Sequence, residues 1–273
     1  MPEVIFTGPA GRIEGRYHPA RQKNAPIAIV LHPHPQFGGT MNHQIVYQLY
    51  YAFAHRNFAV LRFNFRGVGR SQGAFDHGQG ELSDAASALD WAQSLNPEAR
   101  SCWIAGFSFG SWIGMQLLMR RPEIEGFISI CPPANLYDFS FLAPCPSSGL
   151  IIHGDKDAVV PPKDVAGLVE KLKTQKGIVI DQKIVPGANH FFDGKVEALM
   201  QAVAYLDGKM NEIRRAGKVM GAERIAVMAA LNVAHELLTV KLGTGFDMGQ
   251  AKRRIAVIES QIDAAIAKQE KLF

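Results

Sequence analysis

Short apolar runs rich in β-branched residues alternate with longer helical patterns over the first two hundred residues. Runs of the first kind, bounded by Gly, Pro and Asn, are typical of strands, and apolar residues at three-four spacing are typical of helices. The alternation predicts an α/β domain with a mostly parallel sheet flanked by helices. The predicted strands are 4–7, 12–17, 27–32, 60–65, 102–107, 126–130, 149–153 and 178–185, and the predicted helices are 42–55, 82–95, 109–120 and 163–174.

The pattern changes at about residue 196, where strands end and Ala, Met, Leu and charged residues predominate. We predict an α/β domain over 1–198 and a helical extension over 199–273. One helix is expected over 195–242, weakened by its three glycines. The run LGTGFDMGQ at 242–250 ends it, and Asp247 is a candidate N-cap for a second helix. The apolar spacing of that second helix favours packing on another helix, as in a coiled coil.

Composition narrows the function classes. The net charge of +4 is small and the basic residues are scattered among acids, so nucleic acid is not an expected partner. No segment approaches the roughly 18 apolar residues of a membrane span, and the N-terminus lacks a signal-peptide pattern. The three cysteines, Cys102, Cys131 and Cys145, suit reduced thiols that pack in a core. We therefore expect a cytoplasmic protein.

The stretch IAGFSFGSW at 104–112 places Ser108 between Gly106 and Gly110. The pentapeptide alone is equally compatible with a turn serine. Because an apolar strand precedes it and a helical pattern follows, the context favours a nucleophilic serine on a sharp, strained turn. The glycines would leave room for that turn, and the helix N-terminus would favour developing negative charge.

A nucleophilic serine needs a base, and the base needs a residue that fixes its tautomer. LIIHGDKDAVVPP, at 150–162, ends a strand with Asp155 and Asp157 in the turn, and VPGANHFF, at 185–192, carries His190. Both segments follow parallel strands on the same sheet edge as Ser108, where open α/β sheets place their sites. The order Ser, Asp, His matches a sheet-based triad.

These residues resemble the α/β-hydrolase superfamily, and within it small bacterial hydrolases with an HPHPxxGGTM loop. The resemblance covers about 1–198 and includes LHPHPQFGGTM at 31–41 and FNFRGVGRSQG at 63–73. It implies that Ser108 is the nucleophile, His190 the general base and then acid, and Asp157 the residue that orients the imidazole. Asp155 fits less well, because the family pattern puts the carboxylate three residues after the glycine.

The oxyanion hole of this family combines the N–H of the residue after the nucleophile, here Phe109, with one from the loop after the third strand. Since Pro33 and Pro35 have no N–H, His34 is the residue implied by analogy, with Gln36 and Phe37 as alternatives. His32 and His34 lack the companions of a metal site, so we expect no metal and no cofactor. Arg66 and Arg70 have two interpretations. They could form an anion-binding loop, or an arginine could stabilise a tight turn closed by the glycines, and the second interpretation is favoured.

The implied activity is that of a carboxylesterase-like serine hydrolase acting on a small acyl substrate. The segment where this superfamily inserts its lid, 131–148, is short, which predicts a small open pocket. Acyl transfer to an acceptor other than water and peptidase action on small peptides stay open, because the triad is common to them.

The tail resembles a different family, the cytoplasmic cell-division protein ZapA, through ERIAVMAALNVAHELL at 223–238 and IDAAIAKQEKLF at 262–273. The resemblance implies a homo-oligomer formed by the C-terminal helices. In that family a separate N-terminal head is implicated in contact with the division polymer FtsZ, so an FtsZ association of this chain stays an open possibility. No counterpart of ZapA's N-terminal head is recognisable. Two alternatives remain: the apolar helix folds back on the hydrolase core, or the chain is a division-associated scaffold whose hydrolase domain is passive or inactive.

Overall fold

The computed structural model describes residues 3–203, and this part of the chain forms an eight-stranded sheet. The strand order is β1-β2-β4-β3-β5-β6-β7-β8. Strands β3 to β8 are parallel, whereas the pairs β1-β2 and β2-β4 are antiparallel. The strands are β1 (Glu3–Gly8), β2 (Gly11–His18), β3 (Ile27–Leu31), β4 (Ala59–Phe63), β5 (Cys102–Phe107), β6 (Ile124–Ile130), β7 (Ser148–Gly154) and β8 (Ile180–Val185).

The central strands are buried on both faces. Every residue of β3 and β4 is buried. Along β3, Ile27, Ile29 and Leu31 join one apolar cluster, and the alternate residues Ala28 and Val30 join a second cluster on the opposite face. Two covered faces explain why these strands are apolar throughout instead of alternating.

Helices cover both faces of the sheet. The first cluster contains residues of α2 (Gln79–Leu95), α3 (Phe109–Leu118) and α4 (Pro162–Lys173). The second contains α1 (Gln44–Ala54) together with Leu199 and Val203, which lie on a helical segment at 196–203. The mostly parallel, helix-flanked sheet predicted from the alternating pattern is therefore confirmed.

Most predicted elements differ from the observed ones only at their ends. The largest difference at a helix start is in α2, which begins at Gln79 instead of residue 82. There the buried Glu81 carboxylate accepts hydrogen bonds from the N–H groups of Gly78 (2.7 Å) and Asp76 (2.9 Å). A buried glutamate that satisfies free N–H groups can start a helix ahead of its apolar pattern.

The remaining tail predictions lie outside the described residues, including the rest of the helix over 195–242 and the second helix. Within 3–203, the structure has no helix long and apolar enough to cross a membrane.

The sheet order places the candidate site. From β3 the chain continues to β4 on one side, and β5 pairs with β3 on the other side. Such a reversal opens a crevice at the carboxyl ends of the strands, where ligands of open α/β sheets bind. Ser108 directly follows β5, and the His34 loop follows β3.

Candidate active site

Ser108 occupies a strained turn between β5 and α3. Its φ of 53° and ψ of −119° lie in a region that residues with a side chain rarely adopt, at a cost of about 1–3 kcal/mol. The Ser108 N–H donates to the carbonyl of Ile130 at the end of β6 (2.8 Å), which fixes the turn to the sheet. The expected strained turn is present.

Both flanking glycines are required by close backbone contacts. A Cβ on Gly106 would lie 2.4 Å from the carbonyl carbon of Gly110, and a Cβ on Gly110 would lie 2.5 Å from the carbonyl oxygen of Leu31. Real Cβ atoms do not approach backbone so closely, so the start of α3 could not sit this tightly against β3 and β5. The glycines therefore let the turn close over the strand ends.

The structure brings Ser108, His190 and Asp157 together from three separate strand ends. His190 Nε2 lies 3.0 Å from Ser108 Oγ, and His190 Nδ1 lies 2.8 Å from Asp157 Oδ2. An ionised carboxylate can only accept, so Nδ1–H donates to Asp157 and the bare Nε2 accepts from the serine hydroxyl. His190 and Asp157 are both buried.

Asp157 is held by its own loop. Its Oδ1 accepts hydrogen bonds from the N–H groups of Val159 (2.9 Å) and Val160 (2.8 Å), which leaves Oδ2 for His190. Burial by itself raises the pKa of Asp157, but the hydrogen bonds from His190 and the Val160 N–H outweigh it and bring the pKa below its ordinary value. The carboxylate is thus ionised at neutral pH.

Asp155, the alternative carboxylate, serves another contact. Its Oδ1 accepts from the N–H of Gly187 at 2.6 Å and so ties the β7 turn to the loop that carries His190. The contacts therefore distinguish the two aspartates: Asp157 contacts the imidazole, and Asp155 contacts the backbone of the loop.

The N–H groups of Gln36 and Phe37, the two alternatives for the oxyanion hole, already donate hydrogen bonds within their loop. His34 Nδ1 accepts from the N–H of Gln36 (3.2 Å), and the His34 carbonyl accepts from the N–H of Phe37 (3.1 Å). Within residues 3–203 the His34 N–H has no hydrogen-bond partner. Phe109 is the first residue of α3, so its N–H has no partner within the helix. Of the groups considered, His34 and Phe109 keep free donors.

The other conspicuous residues of the loops have structural contacts. His32 is fully buried; its Nε2 accepts from the N–H of Phe65 (3.0 Å), so Nδ1–H donates to the carbonyl of Pro33 (2.6 Å). Burial lowers the pKa of His32 to about 3, which keeps it neutral. Arg66 forms a paired contact with the buried Asp84 carboxylate, at 2.8 and 3.0 Å. The favoured interpretation, in which Arg66 stabilises its turn, is confirmed.

Aromatic rings pack against the residues on either side of Ser108. Phe107 packs against His190 (ring centroids 5.2 Å apart), and Phe109 packs against His34 (4.9 Å). Beyond them, Phe37 contacts His34 and Phe191 contacts His190, and these two outer rings are 85% and 49% exposed. Two apolar rings at the outer edge of the site are therefore open to solvent.

The short segment over 131–148 packs down on α3. Tyr137 stacks on Trp112 with ring centroids 4.3 Å apart, and Trp112 Nε1 donates to the carbonyl of Asp138 (3.1 Å). Tyr137 also contacts Phe109 (5.9 Å). These contacts fix the segment beside the crevice.

Cys131 is a residue of this site that the sequence interpretation missed. It follows β6 with a φ of 46°, and its N–H donates to the carbonyl of Ile152 (2.9 Å). Its Sγ lies within 4.8 Å of the donor atoms of Asp157 and His190. Only the spatial neighbourhood of the β6 and β7 ends reveals this contact, so no signal in the chain could have found it.

Cys131, Asp157 and His190 together could be considered as metal ligands, but their protonation does not suit that role. Burial raises the pKa of the Cys131 thiol well above its ordinary value, and the nearby Asp157 carboxylate adds to the effect. Metals bind the thiolate form. The carboxylate and the imidazole are already joined by a 2.8 Å hydrogen bond. The group fits a hydrogen-bonded cluster of thiol, carboxylate and imidazole better than a metal centre.

Three known families match parts of the chain. Residues 16–148 match the X-Pro dipeptidyl-peptidase (S15) family, residues 135–212 match the prolyl oligopeptidase family, and residues 192–263 match the cell division protein ZapA. The match to ZapA of Pseudomonas aeruginosa has 46% identity over 69 residues, which are 25% of this chain and 66% of that protein. The chain thus spans just under two thirds of the length of that relative.

Solved structures resemble the described part. An Agrobacterium tumefaciens protein of unknown function, proposed to be an α/β hydrolase, has 73% identity and a TM-score of 0.76 over 77% of this chain and 97% of its own. A lidless α/β serine hydrolase from Xanthomonas campestris has 31% identity and a TM-score of 0.66 over 81% of this chain and 96% of its own. The chain belongs to the α/β serine hydrolase family and carries a C-terminal part similar to ZapA.

Proposed function

We propose that the domain over 1–198 hydrolyses a small ester-like substrate through an acyl-enzyme. In this proposal Ser108 is the nucleophile, His190 the general base and then acid, and Asp157 the residue that orients and stabilises the imidazole. The observation that carries it is the pair of contacts at His190, 3.0 Å to the serine Oγ and 2.8 Å to the aspartate Oδ2.

In the first half of the reaction, Ser108 Oγ attacks the ester carbonyl carbon while its proton moves to His190 Nε2. The N–H groups of Phe109 and His34 hydrogen-bond the oxyanion that develops. When the intermediate collapses, the alcohol leaves with the proton from Nε2, and the acyl group stays on Ser108.

In the second half, water takes the place of the alcohol. His190 Nε2 accepts a proton from water as the water oxygen attacks the acyl carbon, and then returns it to Ser108 Oγ. Asp157 stays ionised throughout and stabilises the imidazolium, in agreement with its lowered pKa.

The short segment over 131–148, which is fixed against α3 by the Trp112–Tyr137 stack, supports a small substrate. Long alkyl chains would leave most of their surface in water, because the outer rings of Phe37 and Phe191 are themselves exposed. The acyl group is then held chiefly by the first few atoms next to the carbonyl.

A panel of 4-nitrophenyl esters from acetyl to palmitoyl tests the proposed substrate size. We expect the highest kcat/KM with acetyl to butyryl esters and a fall of about tenfold or more by decanoyl. A maximum at long chains would contradict the small-substrate proposal.

Because two matching families are peptidases, an X-Pro 4-nitroanilide belongs in the panel, and faster cleavage of it than of any ester would make peptidase action the better assignment.

We further propose that the extension over 199–273 drives homo-oligomerisation. The support is the match to ZapA over 192–263 and the run IAVMAALNVA at 225–234, which is apolar on nearly every helical face. An apolar helix of this kind needs a covering surface, and a second copy of the same helix can supply one. A cytoplasmic location and an association with FtsZ are part of this proposal.

Truncation after residue 208 tests the role of the extension. The cut retains Leu199 and Val203, which are buried in the core of the α/β domain, so the domain should stay folded. We expect light scattering to show a lower oligomeric order than the full chain, with kcat for the best ester changed by less than about twofold. An unchanged order would contradict the oligomerisation proposal.

Co-sedimentation with FtsZ filaments addresses the scaffold alternative. Full-length protein that sediments with FtsZ but neither hydrolyses esters nor reacts with a fluorophosphonate would make the scaffold the better assignment for the whole chain.

A further inference from the structure

His153 is a buried imidazole that the proposed mechanism does not use. It lies near the carboxyl end of β7, next to Gly154, and is 1% exposed. The residues before it in the strand, 150–152, are apolar and buried. Burial of a polar ring costs free energy unless hydrogen bonds offset it, so the contacts of His153 indicate what the ring does in this strand.

One nitrogen of His153 contacts the turn that follows β7. Nε2 lies 3.0 Å from the carbonyl oxygen of Val160. A carbonyl oxygen only accepts, so Nε2–H is the donor. Val160 is fully buried and belongs to the same apolar cluster as Ile151, which lies on the same face of the strand as His153. The hydrogen bond therefore fixes residue 160 of the turn to the strand from which the turn begins.

Val160 also holds the proposed triad carboxylate. Its N–H donates to Asp157 Oδ1 at 2.8 Å, and Asp157 Oδ2 lies 2.8 Å from His190 Nδ1. Val160 is thus held through both of its backbone groups, the carbonyl by His153 and the N–H by Asp157. If the carbonyl loses its donor, Val160 can move, and the carboxylate that accepts from its N–H moves with it relative to His190.

The second nitrogen of His153 keeps the ring neutral. Nδ1 is buried and has no hydrogen-bond partner within residues 3–203, so a proton on it would have no acceptor there. Burial lowers the pKa of His153, although the nearby Asp157 acts in the opposite direction. Because Nε2 lies 3.8 Å from Asp157 Oδ2, a charged ring would compete with His190 for the carboxylate. A neutral ring holds the turn without that competition.

We propose that His153 is a positioning residue of the triad, whose neutral imidazole holds Val160 and thereby keeps the Asp157 carboxylate oriented toward His190. This inference rests on the proposed hydrolase function. It assigns His153 no proton transfer and no contact with the substrate.

The test compares kcat and KM of two full-length variants with 4-nitrophenyl acetate. Leucine has no donor, so in His153→Leu we expect kcat to fall by about 10-fold to 100-fold through misplacement of the carboxylate, with KM within about twofold of the unmodified chain. The amide N–H of glutamine can replace Nε2–H as the donor to Val160, so His153→Gln should keep kcat within about threefold.

Ser147→Ala is the matched control for stability. Ser147 directly precedes β7, at the end of the strand away from the site, and its hydroxyl donates to the carbonyl of Ile124 at 2.8 Å. Like His153→Leu, this variant removes one buried hydrogen bond from a side chain to a carbonyl. We expect Tm to fall and kcat to equal that of the unmodified chain.

Three results would overturn the inference: a folded His153→Leu variant that keeps kcat within threefold, a loss of kcat in His153→Gln as large as in His153→Leu, or an equal loss in Ser147→Ala. If His153→Leu does not fold, His153→Asn replaces it and should show the same fall in kcat, because its side chain is one carbon shorter than that of glutamine and does not reach the Val160 carbonyl. Failure of the hydrolase proposal is distinct, because the unmodified chain would then neither hydrolyse the ester nor react with a fluorophosphonate.

Discussion

Replacement of Ser108 by Ala is expected to lower kcat for the best ester by roughly 10⁵-fold to 10⁶-fold, because in the proposed mechanism Ser108 alone forms the acyl-enzyme. The change removes one atom, the Oγ that lies 3.0 Å from His190 Nε2. Alanine and serine both carry a Cβ at the strained φ of 53°, so the turn itself should be unaffected. The remaining activity would come from substrate binding and the oxyanion donors.

Ser87→Ala is the matched control for this experiment. Ser87 lies on the outer part of α2, where its hydroxyl only donates to the carbonyl of Ser83 (3.0 Å). We expect its kcat and Tm to equal those of the unmodified chain. Retention of a tenth or more of the activity in Ser108→Ala, with kcat measured in both variants under the same conditions, would remove Ser108 from the mechanism.

The second large effect is expected for Asp157→Asn, which should lower kcat by about 10⁴-fold at neutral pH. Asparagine has nearly the same shape, and its oxygen can still accept from the N–H groups of Val159 and Val160. Its amide nitrogen then faces His190 Nδ1 and donates to it, so the imidazole carries its proton on Nε2. In that tautomer His190 cannot accept the proton of Ser108.

Asp155→Asn gives the comparison that distinguishes the two aspartates. The Asp155 Oδ1 accepts from the Gly187 N–H at 2.6 Å, and an amide oxygen can make the same contact. We expect kcat to change by less than about threefold. If Asp155→Asn loses as much activity as Asp157→Asn, or more, the proposed assignment of the triad carboxylate to Asp157 is wrong.

The positions of the central strands could be predicted because a strand that is buried on both faces has a continuous apolar run in the sequence. A fully apolar run such as the one in β3 has few alternatives once glycines and prolines bound it. The three predicted site residues could be proposed for a related reason. Ser108 directly follows β5, Asp157 and His190 lie in the loops after β7 and β8, and parallel strands bring their carboxyl ends to one edge. The helix starts were less predictable, because Glu81 begins α2 through contacts that are not periodic.

The sequence could not predict which side chains lie next to one another at the ends of neighbouring strands. Cys131 was interpreted as a packing residue because its apolar surroundings in the chain suggest nothing else, and its contact with Asp157 depends on β6 pairing with β7. The choice between the two aspartates depended on the family resemblance until the geometry of the β7 turn was available. The choice among the proposed oxyanion donors depended on which N–H groups of the His34 loop already have hydrogen-bond partners.

The most direct test of the central claim is reaction of the full-length chain with a fluorophosphonate, followed by intact-mass and peptide mass spectrometry. We predict one covalent adduct per chain, located on Ser108, absent from Ser108→Ala and present at the normal extent in Ser87→Ala. Absence of an adduct on the unmodified chain, or an adduct at any residue other than Ser108, would contradict the account.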